Sequence, residues 1–150
     1  MRIASTSSRL TIEPNVARLA VERASDADID LLEENLRLEE KAHANGRRRD
    51  AIRLSGQFHV LLAQIAANGV MLRMVKELVT RTSLIIGLFG GTGMSNCRDK
   101  DHADLLGTFR RRDADAAERL MKDHLEHIQE HLDLGGKHET PMDLVSLFRK

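Results

Sequence analysis

Apolar residues recur at helical spacing along almost the whole of this 150-residue chain. They lie three and four residues apart, as on the buried face of an α-helix, and we find no convincing strand pattern. Asn45-Gly46, Asn68-Gly69 and Gly135-Gly136 interrupt the pattern and are typical of helix ends. The chain has no Trp or Tyr, which disfavours a β-sandwich. The pattern therefore predicts an all-α fold, an antiparallel bundle of six to seven helices.

The bundle is predicted to occupy residues 9–134. Residues 1–8 are expected to be disordered, and residues 135–150 to form a Gly-rich linker and a short C-terminal helix. Ser25 and Asp113 are predicted N-caps because an acceptor side chain there precedes an apolar helical pattern. The fourth helix, which ends near Phe89, is apolar around more than half of its circumference, so we expect it to lie centrally.

Charge and cysteine content exclude several classes of protein. Lys and Arg together number 23, as do Asp and Glu, so the chain lacks the basic surplus of a nucleic-acid-binding protein. The single cysteine, Cys97, excludes a disulfide framework. No signal peptide is recognisable, and charged residues interrupt the most apolar stretch, residues 70–89, which argues against a membrane span. We therefore expect a cytoplasmic protein.

Three of the seven histidines lie on the apolar faces of three different predicted helices. They are His59, His102 and His124. Neutral imidazole is a common metal ligand, and helical bundles build metal sites from residues on facing helices. The alternative is that each histidine is a core residue bonded to a backbone carbonyl.

A second set of histidines shares one face of the last long helix. His124, His127 and His131 follow the spacing i, i+3, i+7. Two interpretations stay open for this face. It is either a surface metal site or a solvated helix face beside Glu126 and Glu130.

Several short motifs together resemble the FCD domain, the C-terminal effector-sensing domain of the FadR subfamily of GntR transcriptional regulators. The resemblance covers residues 9 to about 134. It rests on Arg9, Ile12 and Glu13, Leu19-Ala20, Glu22-Arg23-Ala24, Phe58-His59, Asn68, Asp101-His102, Leu105-Leu106, residues 111–117, Met121 and His124-Leu125.

The resemblance implies a dimeric α-helical bundle that binds a small effector, often an organic acid, in a central cavity. In many members an Asp and three His hold a divalent metal there, and the histidines correspond to His59, His102 and His124. Ser55 stands where the family has the Asp, one helical turn before His59. A hydroxyl is a poor ligand for a divalent ion, so zinc or nickel on three histidines is the expected metal. An effector site without metal is the alternative.

Effector contacts are predicted for Ser55, Arg9, Asn68 and Arg81. An arginine can bind a carboxylate through two hydrogen bonds. Each of the last three also has a structural interpretation: Arg9 as part of a frayed terminus, Asn68 as a helix cap, and Arg81 as a surface side chain.

GntR regulators carry a winged helix before this domain, and residues 1–8 cannot form one. We therefore expect a fragment or a detached sensing domain, with a homodimer and a small carboxylate as partners and no DNA binding by this chain alone. Two other hypotheses are a helical interaction module without ligand and, less favoured, a His₃ metal enzyme. The replacement of the best-placed acid by Ser55 argues against catalysis.

Overall fold

A computed structural model describes residues 4–90 and 100–135, and every regular element in these ranges is an α-helix. The predicted all-α class is therefore confirmed. The helices are α1 (Ala4–Arg23), α2 (Asp26–Ala44), α3 (Arg48–Ile65), α4 (Gly69–Phe89), α5 (Asp101–Arg111) and α6 (Ala114–Gly135).

Helices α2 and α6 each begin directly after a residue whose side chain accepts a hydrogen bond from the backbone of the first turn. The Ser25 hydroxyl accepts a hydrogen bond from the Asp28 N–H, and the Asp28 carboxylate accepts one from the Ser25 N–H. This reciprocal capping box satisfies two backbone donors at the start of α2. The Asp113 carboxylate likewise accepts from the Ala116 N–H, at 3.0 Å, ahead of α6. Both predicted caps are confirmed.

Helix α1 closes the bundle by packing chiefly against α6, the helix furthest from it in sequence. The two run antiparallel, because Arg18 near the end of α1 pairs with Glu118 near the start of α6, while Gln129 donates to Ser7. Against α3, in contrast, α1 runs parallel: Glu13 meets His59, and Arg23 donates to the carbonyl of Ala66.

The core is one large cluster to which all six helices contribute, beside a small separate one of Ala42, Ala51 and Leu54. Its largest fully buried side chains include Phe58, Leu62, Leu105, Phe109 and Met121. No helix in the described ranges is long and apolar enough to cross a membrane.

One expectation about the edges of the bundle was wrong. Helix α1 begins at Ala4, and Thr6 is buried, so residues 4–8 are helical where disorder was predicted. The predicted end of the fourth helix near Phe89 is confirmed. The predicted C-terminal linker and helix from residue 136 onward lie outside the described residues.

The predicted central position of α4 was also wrong. Val75, Val79, Thr82 and Ile86 form its buried face, which packs against α3 and α1. The opposite face is exposed although much of it is apolar. The exposed fractions of Leu84 and Leu88 are 61% and 55%. The strongly apolar composition of α4 therefore comes from two apolar faces, one buried and one exposed, and does not indicate a central position.

Gly56 sets the distance between α3 and α4. A Cβ atom at this position would lie 2.9 Å from Cγ1 of Val79 and 3.2 Å from Oγ of Ser83. Real carbon contacts are longer, so only a residue without a side chain permits this approach.

We expect Gly56→Ala to lower the free energy of unfolding by about 1–3 kcal/mol, the usual cost of overpacking a core. Chemical denaturation followed by circular dichroism measures the change. Gly87→Ala is the matched control, since a Cβ atom added at Gly87 would have no neighbour within 4 Å and alanine favours the helix. Equal stability of the two variants would contradict the close packing.

Candidate metal centre

Three histidine side chains from three helices meet in the core. They are His59 on α3, His102 on α5 and His124 on α6, and all three are buried. Nε2 of His59 lies 3.3 Å from Nε2 of His102 and 3.3 Å from Nε2 of His124. The structure thus brings together the three histidines that the sequence placed on inner helix faces.

Local packing fixes the rings. His59 follows Phe58 on the inner face of α3, and the Phe58 ring stacks on His102 with centroids 4.3 Å apart. His124 lies on the buried face of α6 between Met121 and Ile128, at the helical spacing that the sequence indicated. Rings held this way have little freedom to turn.

Each histidine also contacts its own carboxylate through Nδ1. Glu13 of α1 lies 2.5 Å from Nδ1 of His59. Glu39 of α2 lies 2.9 Å from Nδ1 of His102, and Asp101 of α5 lies 2.9 Å from Nδ1 of His124. Five of the six described helices therefore supply a side chain to the cluster.

The carboxylates determine which ring nitrogen carries the proton. An ionised carboxylate can only accept, so Nδ1 of each histidine must donate. A neutral imidazole that donates from Nδ1 has a lone pair at Nε2. The three Nε2 atoms therefore face one another as acceptors, an arrangement that repels unless a cation or a donor lies between them.

Burial and charge keep His59 neutral and Glu13 ionised. Burial lowers the pKa of the His59 imidazole to about 3, although the Glu13 carboxylate opposes the change. Burial alone would raise the pKa of the Glu13 carboxyl, but the Arg9 guanidinium and His59 outweigh it, and that pKa lies well below its usual value. Nε of Arg9 lies 2.5 Å from the Glu13 carboxylate.

The described members of the cluster carry a negative formal charge. The three carboxylates and the guanidinium of Arg9 sum to −2 when the imidazoles are neutral. Glu13, Glu39 and Arg9 are almost fully buried. A divalent cation at the Nε2 atoms would offset this negative charge.

The donor set fits a zinc-like ion. Zinc–nitrogen bonds of about 2.0–2.1 Å at tetrahedral angles place the nitrogen atoms about 3.3–3.4 Å apart. Two of the Nε2–Nε2 distances are 3.3 Å. Carboxylates behind the ligating histidines, as found here, are the usual second layer of protein zinc sites. Three neutral nitrogen donors suit zinc or nickel better than calcium or magnesium.

The other predicted site residues are spread over three locations. Ser55 is buried on α3, one turn before His59. Arg9 is buried and bonded to Glu13, so the frayed-terminus interpretation is wrong. Asn68 is exposed and caps α4 by accepting from the Val70 and Met71 N–H groups. Arg81 is exposed and pairs with Glu77 on the outer face of α4. In this single chain, Asn68 and Arg81 are therefore not part of the histidine cluster.

Sequence reasoning gave no role to the three carboxylates. Glu13 and Glu39 each lie on the buried face of a helix, Glu13 one turn before Val16 and Ala17. A charged residue in such a position is the signal that could have found them, because ionised side chains are almost never buried without a partner.

Comparison with known proteins agrees with this architecture. Residues 5–127 match the FCD domain family. The HTH-type transcriptional repressor RspR of Escherichia coli K12 and the HTH-type transcriptional regulator YdfH of Shigella flexneri are each 29% identical to this chain over 123 residues. The match covers 81% of this chain and 54% of each relative, so the chain spans about half of their length.

Two solved structures share the fold. A GntR protein from Streptococcus agalactiae superposes with a TM-score of 0.68 at 23% identity, covering 84% of this chain and 56% of that protein. McbR/YncC of E. coli superposes with a TM-score of 0.76 at 16% identity, covering 87% and 63%. The curated relatives are transcriptional regulators, the class that the resemblance implied. This chain belongs to the FCD domain family.

Proposed function

We propose that this chain is the effector-sensing and dimerisation domain of a GntR-type regulator, and that it binds a small organic acid beside a divalent metal held by His59, His102 and His124. The observation that carries the proposal is the convergence of three Nε2 lone pairs, each oriented by a carboxylate at Nδ1. We further propose a cytoplasmic protein that does not bind operator DNA through this domain alone, consistent with its zero formal charge.

The metal would leave at least one coordination position for the effector. Three histidines complete only part of a tetrahedral or larger shell, and Ser55 supplies no carboxylate there. A bound zinc or nickel ion would supply a Lewis-acidic position that the carboxylate of an organic acid can fill. Binding of the effector would thus depend on the metal.

Two buried polar groups lie on α1 about two helical turns before Glu13, and we assign them to the effector site. The hydroxyls of Ser5 and Thr6 are buried and have no hydrogen-bond partner among the described residues. They lie one helical turn before Arg9, which itself lies one turn before Glu13. A buried hydroxyl without a partner costs about 1–3 kcal/mol, so a ligand that bonds to it gains affinity.

The outer face of α4 suits a dimer interface. Val70, Met74, Leu84 and Leu88 lie on it, opposite the buried face, and all are exposed in the single chain. The Glu77–Arg81 ion pair lies between the two apolar ends. Exposed apolar side chains grouped on one helix face in this way mark an interaction site. We therefore assign Arg81 to this proposed interface instead of the effector site.

We expect His59→Gln to abolish tight metal binding, because it removes the nitrogen that lies 3.3 Å from both other ligands. The measurement is zinc and nickel content by elemental mass spectrometry of untagged protein. Lys122→Gln, which changes an exposed side chain of α6 that pairs with Glu126, is the control. Glu39→Gln leaves the three ligands in place but should weaken the metal affinity roughly 10–100-fold.

Metal-free wild-type protein, or equal metal in wild type and His59→Gln, would contradict the metal centre. The chain would then be better described as an effector domain without metal, or as a helical interaction module.

We expect a small carboxylate to stabilise the metal-loaded protein and to have a weaker effect after metal removal. A thermal-shift screen of mono-, di- and hydroxycarboxylic acids, with and without EDTA, measures this. A ligand present at 100 times its Kd adds about 2.7 kcal/mol, which is several degrees in Tm for a chain of this size.

Thr6→Val tests the polar groups of α1. It should reduce the shift produced by the best ligand and leave the metal content unchanged. An undiminished shift in this variant would remove Thr6 from the effector site.

We expect the double substitution Leu84→Glu with Leu88→Glu to convert a dimer into a monomer, because it places two charges in the apolar outer face of α4. Light scattering coupled to size-exclusion chromatography measures the mass. Leu31→Glu is the matched control, since Leu31 on α2 is equally exposed, at 58%. A dimer that survives the double substitution would rule out this face.

A further inference from the structure

A second pair of histidines lies on the outside of α6. His127 and His131 are four residues apart, one helical turn, and their ring centroids are 4.0 Å apart. His131 is exposed and His127 is half-buried. Their rings are therefore in contact and open to solvent, unlike the three buried histidines of the metal centre.

A backbone hydrogen bond orients the outer ring. Nδ1 of His131 lies 2.9 Å from the carbonyl oxygen of His127. A carbonyl can only accept, so Nδ1 of His131 carries the proton and Nε2 presents its lone pair. A histidine whose other nitrogen donates to a backbone carbonyl is the usual form of a metal-ligating histidine.

The surrounding residues favour a cation. Asp123 lies one turn before His127 on the same side of the helix, and Glu130 lies next to His131; both are exposed. Histidines at i and i+4 on one face of a helix are a recurrent zinc-binding arrangement. Two imidazoles with nearby carboxylates suit zinc, nickel and copper more than magnesium or calcium.

We propose that His127 and His131 form a second, solvent-facing site for a divalent ion of the zinc class, separate from the buried centre. His124 is on the same helix but is turned inward, with its Nε2 directed at His59. With only two histidines and water in its remaining positions, the outer site binds more weakly and exchanges its ion more readily than a three-histidine site. The proposal does not require the buried centre to bind metal.

Titration of chelator-treated protein with Zn²⁺ by isothermal calorimetry tests the proposal. We expect two ions per wild-type chain, one ion after the double substitution His127→Gln with His131→Gln, and two ions in the control Lys122→Gln, which changes an exposed side chain of the same helix. The double variant should keep the wild-type Tm without added metal, because neither side chain belongs to the buried core. In histidine-labelled protein, Zn²⁺ should also shift the ¹⁵N resonance of Nε2 of His131.

The outcomes separate this site from the buried one. If the wild type binds one ion that the double variant loses, the outer site stands and the buried centre fails. If the double variant binds as many ions as the wild type, or the His131 resonance does not move, the outer site is overturned.

Discussion

The fold depends on burying opposite charges and imidazoles together at the point where five helices meet. Glu13, Glu39 and Arg9 are each almost fully removed from water, which is tolerable only because each has an ionic or hydrogen-bonded partner within the core. Arg9 and Glu13 pair within α1, whereas Glu13 and Glu39 also contact histidines of other helices, His59 and His102. The cluster therefore specifies which helix faces which, a selectivity that interchangeable apolar side chains do not supply.

The same cluster explains why α1 packs where it does. The pairings of Glu13 with His59 and of Arg18 with Glu118 fix the register of α1 against α3 and α6. The parallel alignment of α1 with α3 is the one that an up-and-down bundle gives to alternate helices, because α2 runs back between them.

Much of the fold could be predicted because helix periodicity and capping are local. Ser25 and Asp113 each cap a helix through a hydrogen bond to a backbone N–H only three residues further along the chain. The inner faces carrying His59, His102 and His124 were visible for the same reason. The carboxylates at Nδ1 were not visible in the sequence. Glu39 and His102, for example, are 63 residues apart, and their contact depends on how α2 packs against α5. Asn68, in contrast, has a purely local role. The sequence offered helix capping as one interpretation of it, and the structure shows that Asn68 caps α4.

The close contact at Gly56 gives α3 a mechanical role between the interior and the outside of the domain. Gly56 lies three residues before His59, and its backbone lies against Val79 on the buried face of α4. Close-packed interiors are nearly incompressible, so there is no slack at this contact to absorb a displacement of α3. A movement of His59 by even a fraction of an ångström along that direction would therefore push on α4 and reach its outer apolar face. Gly56 thus makes α3 a stiff connection between the buried histidine cluster and the outer face of α4.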